Sequence, residues 1–187
     1  MNTVRIIGGE WRRRVLRFPD SEGLRPTPDR VRETLFNWLG QDLTGLTCLD
    51  LFAGSGALGF EAGSRGAAKV TMVEFSPKVF ADLETNARLL DKKGCLQTVR
   101  ADAVKFASSL RAAGSRFDVL FLDPPYKQGW IDRLMPLLPE LVADDGVIYI
   151  EAEYALAEFE GWNIERSGRA GQVFYHLMRR NDPDGAE

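Results

Sequence analysis

The feature that most limits what this chain can fold into lies between Thr47 and Glu151, where short apolar runs alternate with stretches of helical periodicity. Thr47 to Phe52 reads as an apolar strand, followed by a glycine-rich turn and a helix from about Ala57 to Arg65. Lys69 to Glu74, Gln97 to Ala101, Phe117 to Leu122 and Gly146 to Glu151 read as further strands. Helices are predicted over Pro77–Leu90 behind a Ser76 cap, over Ala103–Ala112, and near Trp130–Leu141. Strands that alternate with helices point to a parallel sheet covered on both faces. The tail breaks the alternation: Trp162–Ser167 and Val173–Met178 flank Gly168–Gly171 and read as an antiparallel hairpin. The expected fold is therefore α/β, a doubly wound, Rossmann-like and mostly parallel sheet of about seven strands ending in that hairpin.

Ahead of the alternation, Val4 to Phe18 is β-like, with Gly8-Gly9 as the turn between short strands. Prolines and glycines make 19–28 a loop. Thr27 is placed to cap a helix with Pro28 in its first turn, and Val31, Leu35 and Trp38, with Phe36 and Leu39, give it an apolar face ending near Gly40. The organisation expected is a basic β-extension and helix over 1–40, the α/β domain over 41–180, and a disordered tail over 181–187.

Composition narrows the class. The chain has 187 residues, 44% hydrophobic and 27% charged, which suits one soluble globular domain and excludes disorder, collagen and a coiled coil. No run approaches the roughly 20 apolar residues of a membrane span, and no apolar stretch follows a basic flank at the start. Cys48 and Cys95 are too few for a disulfide framework, and His176 is the only histidine, so no metal site is expected and a reducing cytoplasm is. The net charge of −3 is uneven: residues 1–32 hold eight arginines against Glu10, Asp20, Glu22 and Asp29, or +4, leaving −7 for the rest. Arg5, Arg12, Arg13, Arg14 and Arg17 form a basic arm that fits a polyanion such as RNA, since cationic clusters bind phosphate by releasing counterions. A charged guard on a strand edge is the other reading. Trp11, among the arginines, either stacks on a nucleotide or fills the core, and the core is slightly favoured.

Two motifs carry chemistry. The first is Asp50-Leu51-Phe52-Ala53-Gly54-Ser55-Gly56-Ala57-Leu58-Gly59, which follows a strand and opens a helix. Its glycines permit a sharp turn and close approach of a ligand to free backbone N–H groups. Glu74, twenty residues after Gly54 at the end of the next strand, can accept both hydroxyls of a ribose. Asp50 discriminates between nucleoside cofactors, because a carboxylate there repels a pyrophosphate and suits an ammonium group. S-adenosylmethionine has an ammonium and a sulfonium and no phosphate. Asp102 ends a third strand, where its side chain and the N–H of Ala103 could meet an adenine edge, or where it could simply cap the following helix.

The second motif is Asp123-Pro124-Pro125-Tyr126, at the carboxyl end of the fourth strand. Two prolines stiffen the backbone and leave carbonyls free. Asp123 and the Pro124 carbonyl then form a rigid acceptor pair and Tyr126 a flat face, which is what an exocyclic amine on a planar base needs. Its lone pair is conjugated into the ring, and holding both N–H groups favours the pyramidal form that frees it. Lys127 and Trp130 lie where a substrate-covering loop would be.

The glycine-rich strand end with Asp-Pro-Pro-Tyr resembles the class I S-adenosylmethionine-dependent methyltransferases that modify amino groups. The block Arg25-Pro-Thr-x-Asp-Arg-Val-Arg-Glu-Thr-Leu-Phe-Asn-Trp-Leu39, preceded by Gly9 and the arginine-rich segment, resembles the RsmD family, and the likeness runs over roughly residues 4–180. It implies methylation of the N2 amine of a guanine in 16S ribosomal RNA, on the RNA or on a small-subunit assembly intermediate, by a monomer. It also implies that Thr27 and Arg30 close over the methionine carboxylate. The tetrapeptide is shared with adenine-N6 methyltransferases, so adenine in RNA or DNA stays open as acceptor, as does a protein amide nitrogen. A nicotinamide-dependent oxidoreductase, suggested by the glycine spacing, and a non-catalytic RNA-binding module, suggested by the arm, are the rivals from other classes.

Overall fold

The computed structural model describes residues 1–21, 23–157 and 161–181. The chain opens with an antiparallel hairpin, β1 (Asn2–Arg5) and β2 (Val15–Phe18), paired from Asn2↔Phe18 to Arg5↔Val15. The turn between them is not confined to Gly8-Gly9. It runs from Ile6 to Arg14, closed by Ile6 N–H donating to Arg14 O (2.9 Å) and Arg13 N–H donating to Ile6 O (2.8 Å). Trp11 is buried in the core beneath it, beside Gly63.

Helix α1 (Asp29–Leu39) buries Val31, Leu35 and Phe36, as its spacing predicts, and Arg32 with them. Its start differs from expectation. Pro28 is the N-cap residue and no side chain caps the helix, because the Thr27 hydroxyl is turned inward to Glu151.

From there the alternation holds. The elements are β3 (Thr47–Asp50), α2 (Ala57–Ser64), β4 (Lys69–Glu74), α3 (Pro77–Leu90), β5 (Leu96–Arg100), α4 (Ala103–Ala112) and β6 (Phe117–Leu122). Ser76 accepts from Val79 N–H and Asp102 from Lys105 N–H, so short polar side chains start α3 and α4. The helix expected over 130–141 is broken into α5 (Trp130–Leu134), a single 3-10 turn at Met135–Leu137 and α6 (Leu138–Leu141). Pro136 and Pro139 are the reason, since each removes a helical N–H and disfavours helical geometry in the residue before it. Strand β7 (Val142–Ala152) is longer than expected, and β8 (Trp162–Ala170) and β9 (Val173–Arg180) form the terminal hairpin. The expected frayed end lies, after Asn181, outside the described residues.

The sheet order is β5-β4-β3-β6-β7-β9-β8, parallel except where β9 pairs with β7 and β8. One face packs on α1, α2, α3 and the N-terminal hairpin through Cys48, Met72, Val119, Phe121 and Tyr149. The other face, with Leu49, Val73, Leu120, Leu122 and Ile148, packs on α4, α5 and α6. Hairpin residues Ile6, Leu16 and Phe18 are buried in the first of these layers. After β3 the chain winds toward β5, and after β6 toward β8, so β3 and β6 are neighbours at the topological switch point, where open α/β sheets place their ligands. No helix among the described residues is long and apolar enough to cross a membrane.

Candidate active site

The two sequence motifs share the carboxyl edge of the sheet on adjacent strands. β3 pairs with β6 through Asp50↔Phe121, so the glycine bend and the proline corner leave the sheet side by side. The bend is set by Ala53 N–H donating to Val73 O (2.8 Å) and Gly56 N–H donating to Ala53 O (2.7 Å). Gly54 and Gly56 have φ of 52° and 80°, the left-handed region that favours glycine. At Gly56 a Cβ would also lie 2.3 Å from the Phe60 ring, so the position is closed twice over to other residues. Ser55 is buried and its hydroxyl accepts from Ala57 N–H at 3.4 Å. Glu74 splints the bend from β4: one carboxylate oxygen accepts from Gly54 N–H (3.0 Å), the other from Ser76 N–H (2.6 Å). Each oxygen keeps a second lone pair for a ligand hydroxyl.

Asp50 ends β3 with 1% of its surface exposed. Its Oδ1 accepts from Phe52 N–H at 3.3 Å, and its Oδ2 is buried without a hydrogen-bond partner among the described residues. Burial, reinforced by Glu74 and Glu151, pushes its carboxyl up to about 7. Glu74 is raised too, by burial. Asp123 follows β6 and is raised well above the ordinary range by burial and then by Glu151 and Asp50. Among the described residues, none of Asp50, Glu74, Asp123 and Glu151 is in an ion pair, although Arg32, Arg65 and other cations are paired elsewhere. Carboxylates gathered this way without a counter-ion suit a cationic ligand.

Glu151 is the residue the sequence reading passed over. It ends the predicted strand but has no glycine or proline beside it to mark a site. In the structure it is 3% exposed and accepts from the Thr27 hydroxyl (2.7 Å) and the Tyr149 hydroxyl (3.0 Å). Because Leu122 pairs with Ile150, Asp123 and Glu151 occupy equivalent positions at the carboxyl ends of adjacent parallel strands, Asp123 just past β6 and Glu151 within the last two residues of β7. The signal that could have found it is the rule that found Asp50: an acid closing an apolar strand. Phe75, directly after Glu74, was also missed; it is 73% exposed and offers an apolar ring face at the rim.

At the proline corner Pro124 is buried, while Pro125 and Tyr126 are exposed. Partial burial, and then the charges of Asp123, Glu151 and Glu153, push the Tyr126 phenol up to about 12, so it stays neutral. Lys127, at φ 60°, turns the chain away, its N–H donating to Glu153 at 3.0 Å. Trp130 packs edge-on against Phe52 with ring centroids 5.4 Å apart, and the Arg133 guanidinium lies 3.8 Å from the Trp130 ring. The glycine bend and the segment after the corner are thus in direct contact. Asp102 is used by its own helix, accepting from Lys105 N–H at 3.0 Å, with Ala103 buried behind it.

Thr27 and Arg30 separate in the structure: Thr27 is buried against Glu151, and Arg30 is exposed on α1. Arg5, Arg12, Arg13, Arg14 and Arg17 are all exposed. Arg32, counted in the basic excess of residues 1–32, belongs to the interior: its guanidinium donates to Thr27 O (3.1 Å), Arg5 O (2.9 Å) and Glu61 (3.3 Å), and pairs with Asp29.

Comparison with known proteins gives a consistent picture. The family model described as conserved hypothetical protein 95 matches residues 4–179. Ribosomal RNA small subunit methyltransferase D of Escherichia coli (strain K12) is 44% identical over 182 residues, covering 95% of this chain and 90% of that protein. The protein of the same name from Haemophilus influenzae is 41% identical over 181 residues, covering 94% and 93%. A solved structure of Escherichia coli yhhF superposes with a TM-score of 0.85 at 42% identity, covering 96% of this chain and 98% of that one.

Proposed function

We propose a defined reaction for this chain, which belongs to the conserved hypothetical protein 95 family of RsmD-type methyltransferases: transfer of a methyl group from S-adenosylmethionine to the N2 amine of a guanine in 16S ribosomal RNA. The coarser activity is that of an S-adenosylmethionine-dependent methyltransferase of small-subunit ribosomal RNA. The choice of guanine N2 rests on the N-terminal block from Arg25 to Leu39 and its likeness to the family. The observation that carries the reading is the group of carboxylates around the glycine bend and the Asp123-Pro124-Pro125-Tyr126 corner, Asp50 and Glu151 buried and Glu74 and Asp123 half-buried, with no cation paired to them among the described residues.

The residues present fit the cofactor. The unpartnered Oδ2 of Asp50 is an acceptor for the ammonium group, and Phe52, Ala53, Gly54, Ser55 and Gly56 provide a bend without side-chain bulk at its glycines. Glu74 holds the ribose, and Asp102, Ala103 and the Phe75 ring take the adenine. Thr27 lies just before α1 and Arg30 in its first turn, where the exposed Arg30 guanidinium would meet the methionine carboxylate. When bound, the cofactor supplies an electrophilic methyl on a sulfonium.

The chain's own work is positioning. Asp123 and the Pro124 carbonyl accept the two N–H bonds of the amine, and Tyr126 stacks on the base. Aligning the amine lone pair in this way is the main contribution to rate. A base inside a duplex does not reach such a corner, so the target is unpaired or flipped out. Arg5, Arg12, Arg13, Arg14 and Arg17 hold flanking phosphates of the RNA or of a small-subunit assembly intermediate, and add affinity rather than base choice. The protein works as a cytoplasmic monomer.

The test is twofold. Ribosomal RNA from cells lacking this protein should lose an N2-methylguanosine from 16S RNA by mass spectrometry; loss of an N6-methyladenosine instead would refute the guanine assignment. Purified Asp123→Ala should transfer methyl at least about a hundredfold more slowly while still binding the cofactor. Full activity in that variant removes the amine grip.

A further inference from the structure

The amine grip needs Asp123 as an acceptor, yet its surroundings oppose its charge. Asp123, just past the end of β6, lies beside Glu151, the penultimate residue of β7, on the face that also carries Phe121 and Tyr149. Glu151 has two hydroxyl donors, Thr27 at 2.7 Å and Tyr149 at 3.0 Å, both on the same oxygen. Those donors favour the ionised form on Glu151. Asp123 then faces an anion beside it and a second carboxyl, Asp50, across the β3–β6 pair.

We propose that Glu151 is the positioning partner of Asp123: the two carboxyls hold a shared proton in the free protein and release it when the cationic cofactor enters, so the amine grip is armed only once the methyl donor is in place. This rests on the cofactor reading above. The bond broken is a carboxyl O–H; the proton leaves to solvent, and no electrons change hands.

The other groups facing the pair do not take its place. Tyr126 is held neutral, pushed up to about 12, and Tyr149 is raised well above its ordinary value by burial and by Glu151, with Tyr175 beside it. Thr27 does not titrate. Glu153 binds Lys127 N–H at the mouth, and Glu74 is occupied by the glycine bend. Asp50 titrates near neutrality and adds its own share of released proton. Both members of the pair are raised by burial, and the Tyr149 hydroxyl that donates to Glu151 favours its carboxylate, so the shared proton resides mainly on Asp123. In that state Asp123 offers a donor where the amine requires an acceptor. Incoming positive charge reverses the balance by favouring both carboxylates.

The experiment is isothermal titration of the purified protein with S-adenosylmethionine at pH 7.5 in buffers of different ionisation enthalpy, which counts protons released per cofactor bound. The wild type should release more protons than Glu151→Gln, in which Asp123 has lost the neighbouring charge that adds to the effect of burial. S-adenosylhomocysteine, which lacks the sulfonium charge, should release fewer protons than S-adenosylmethionine from the wild type. Equal release by wild type and Glu151→Gln overturns the proposal. If that variant does not fold, Thr27→Val serves: losing a donor to Glu151 should move half-completion of proton release to higher pH, and an unmoved midpoint overturns it equally. Absence of any binding heat from the wild type refutes the cofactor reading itself, a result distinct from binding without proton release.

Discussion

Two buried acidic environments in this protein are built on opposite terms. Glu61, in the middle of α2, is completely buried and completely answered: Arg32 at 3.3 Å, Arg65 at 2.9 Å, and the N–H groups of Ile7 (3.0 Å) and Gly8 (2.7 Å) converge on its two oxygens. Asp50, Asp123 and Glu151, at the carboxyl edge, have hydroxyl and amide donors but no cation among the described residues. The first arrangement is a closed joint that fixes the N-terminal hairpin to the body. The second is left open in charge, which costs stability in the free protein and gives a cationic ligand something to neutralise. Burial of acids is common to both. Their partners decide whether the acid serves structure or binding.

The largest effect should come from breaking the closed joint. Glu61→Gln leaves the Arg65 guanidinium buried without a neutralising charge and Arg32 with only the exposed Asp29, and removing one partner of a buried pair costs about 3–5 kcal/mol. Urea unfolding of wild type and variant at the same salt measures it. A loss below about 1 kcal/mol would mean the joint behaves like a surface ion pair.

Breaking the open site should have the opposite sign. An unfolded Asp50 titrates near 3.8 and the folded one near 7. Between those values the native state binds more protons than the unfolded chain, so this group makes stability fall as pH rises, and the loss is complete above about pH 7. Asp50→Asn stays neutral throughout. Its stability relative to wild type should be near zero at pH 4 and grow to a gain of about 2–4 kcal/mol at pH 8, while cofactor affinity drops. A variant less stable than wild type at pH 8 would mean Asp50 has a counter-ion of its own.

This contrast also explains what could be read from the sequence. The alternation from Thr47 to Glu151 fixed the sheet because it depends only on local periodicity; Asp50 and Asp123 stood by the glycine and proline turns, and Glu74 was marked by its spacing from Gly54 at the next strand end. Glu151 has no such neighbour, and its importance comes from β6 and β7 lying together, a long-range fact. Arg32 looked like part of the basic arm because it stands among arginines. Only the fold brings it to Glu61, whose isolation in the apolar stretch from Ala57 to Gly63 was the available hint. Thr27 had a cap's sequence position, but a buried carboxylate won its hydroxyl. The break near Met135 was written in Pro136 and Pro139, but the apolar spacing around them masked it.

The smallest effect concerns the loop that the closed joint holds. Arg13 sits at φ 71°, where side chains other than glycine are disfavoured, yet Arg13 is exposed and its backbone N–H is used by Ile6 O. Ser64 and Glu61 fix this turn through Glu10 N–H, Trp11 N–H, Ile7 N–H and Gly8 N–H, so the strain is sustained by contacts that do not involve the arginine side chain. If the charge is what matters, Arg13→Gly should leave stability unchanged or raise it by up to about 1 kcal/mol, because glycine adopts this geometry freely. The same variant should weaken binding to a 16S RNA fragment and lower the slope of log affinity against log salt by about one. Arg13→Lys should restore the salt slope without the gain in stability. A glycine variant that binds RNA with the wild-type slope would detach Arg13 from the RNA, leaving its backbone geometry a consequence of how Glu61 and Ser64 pull the turn onto α2.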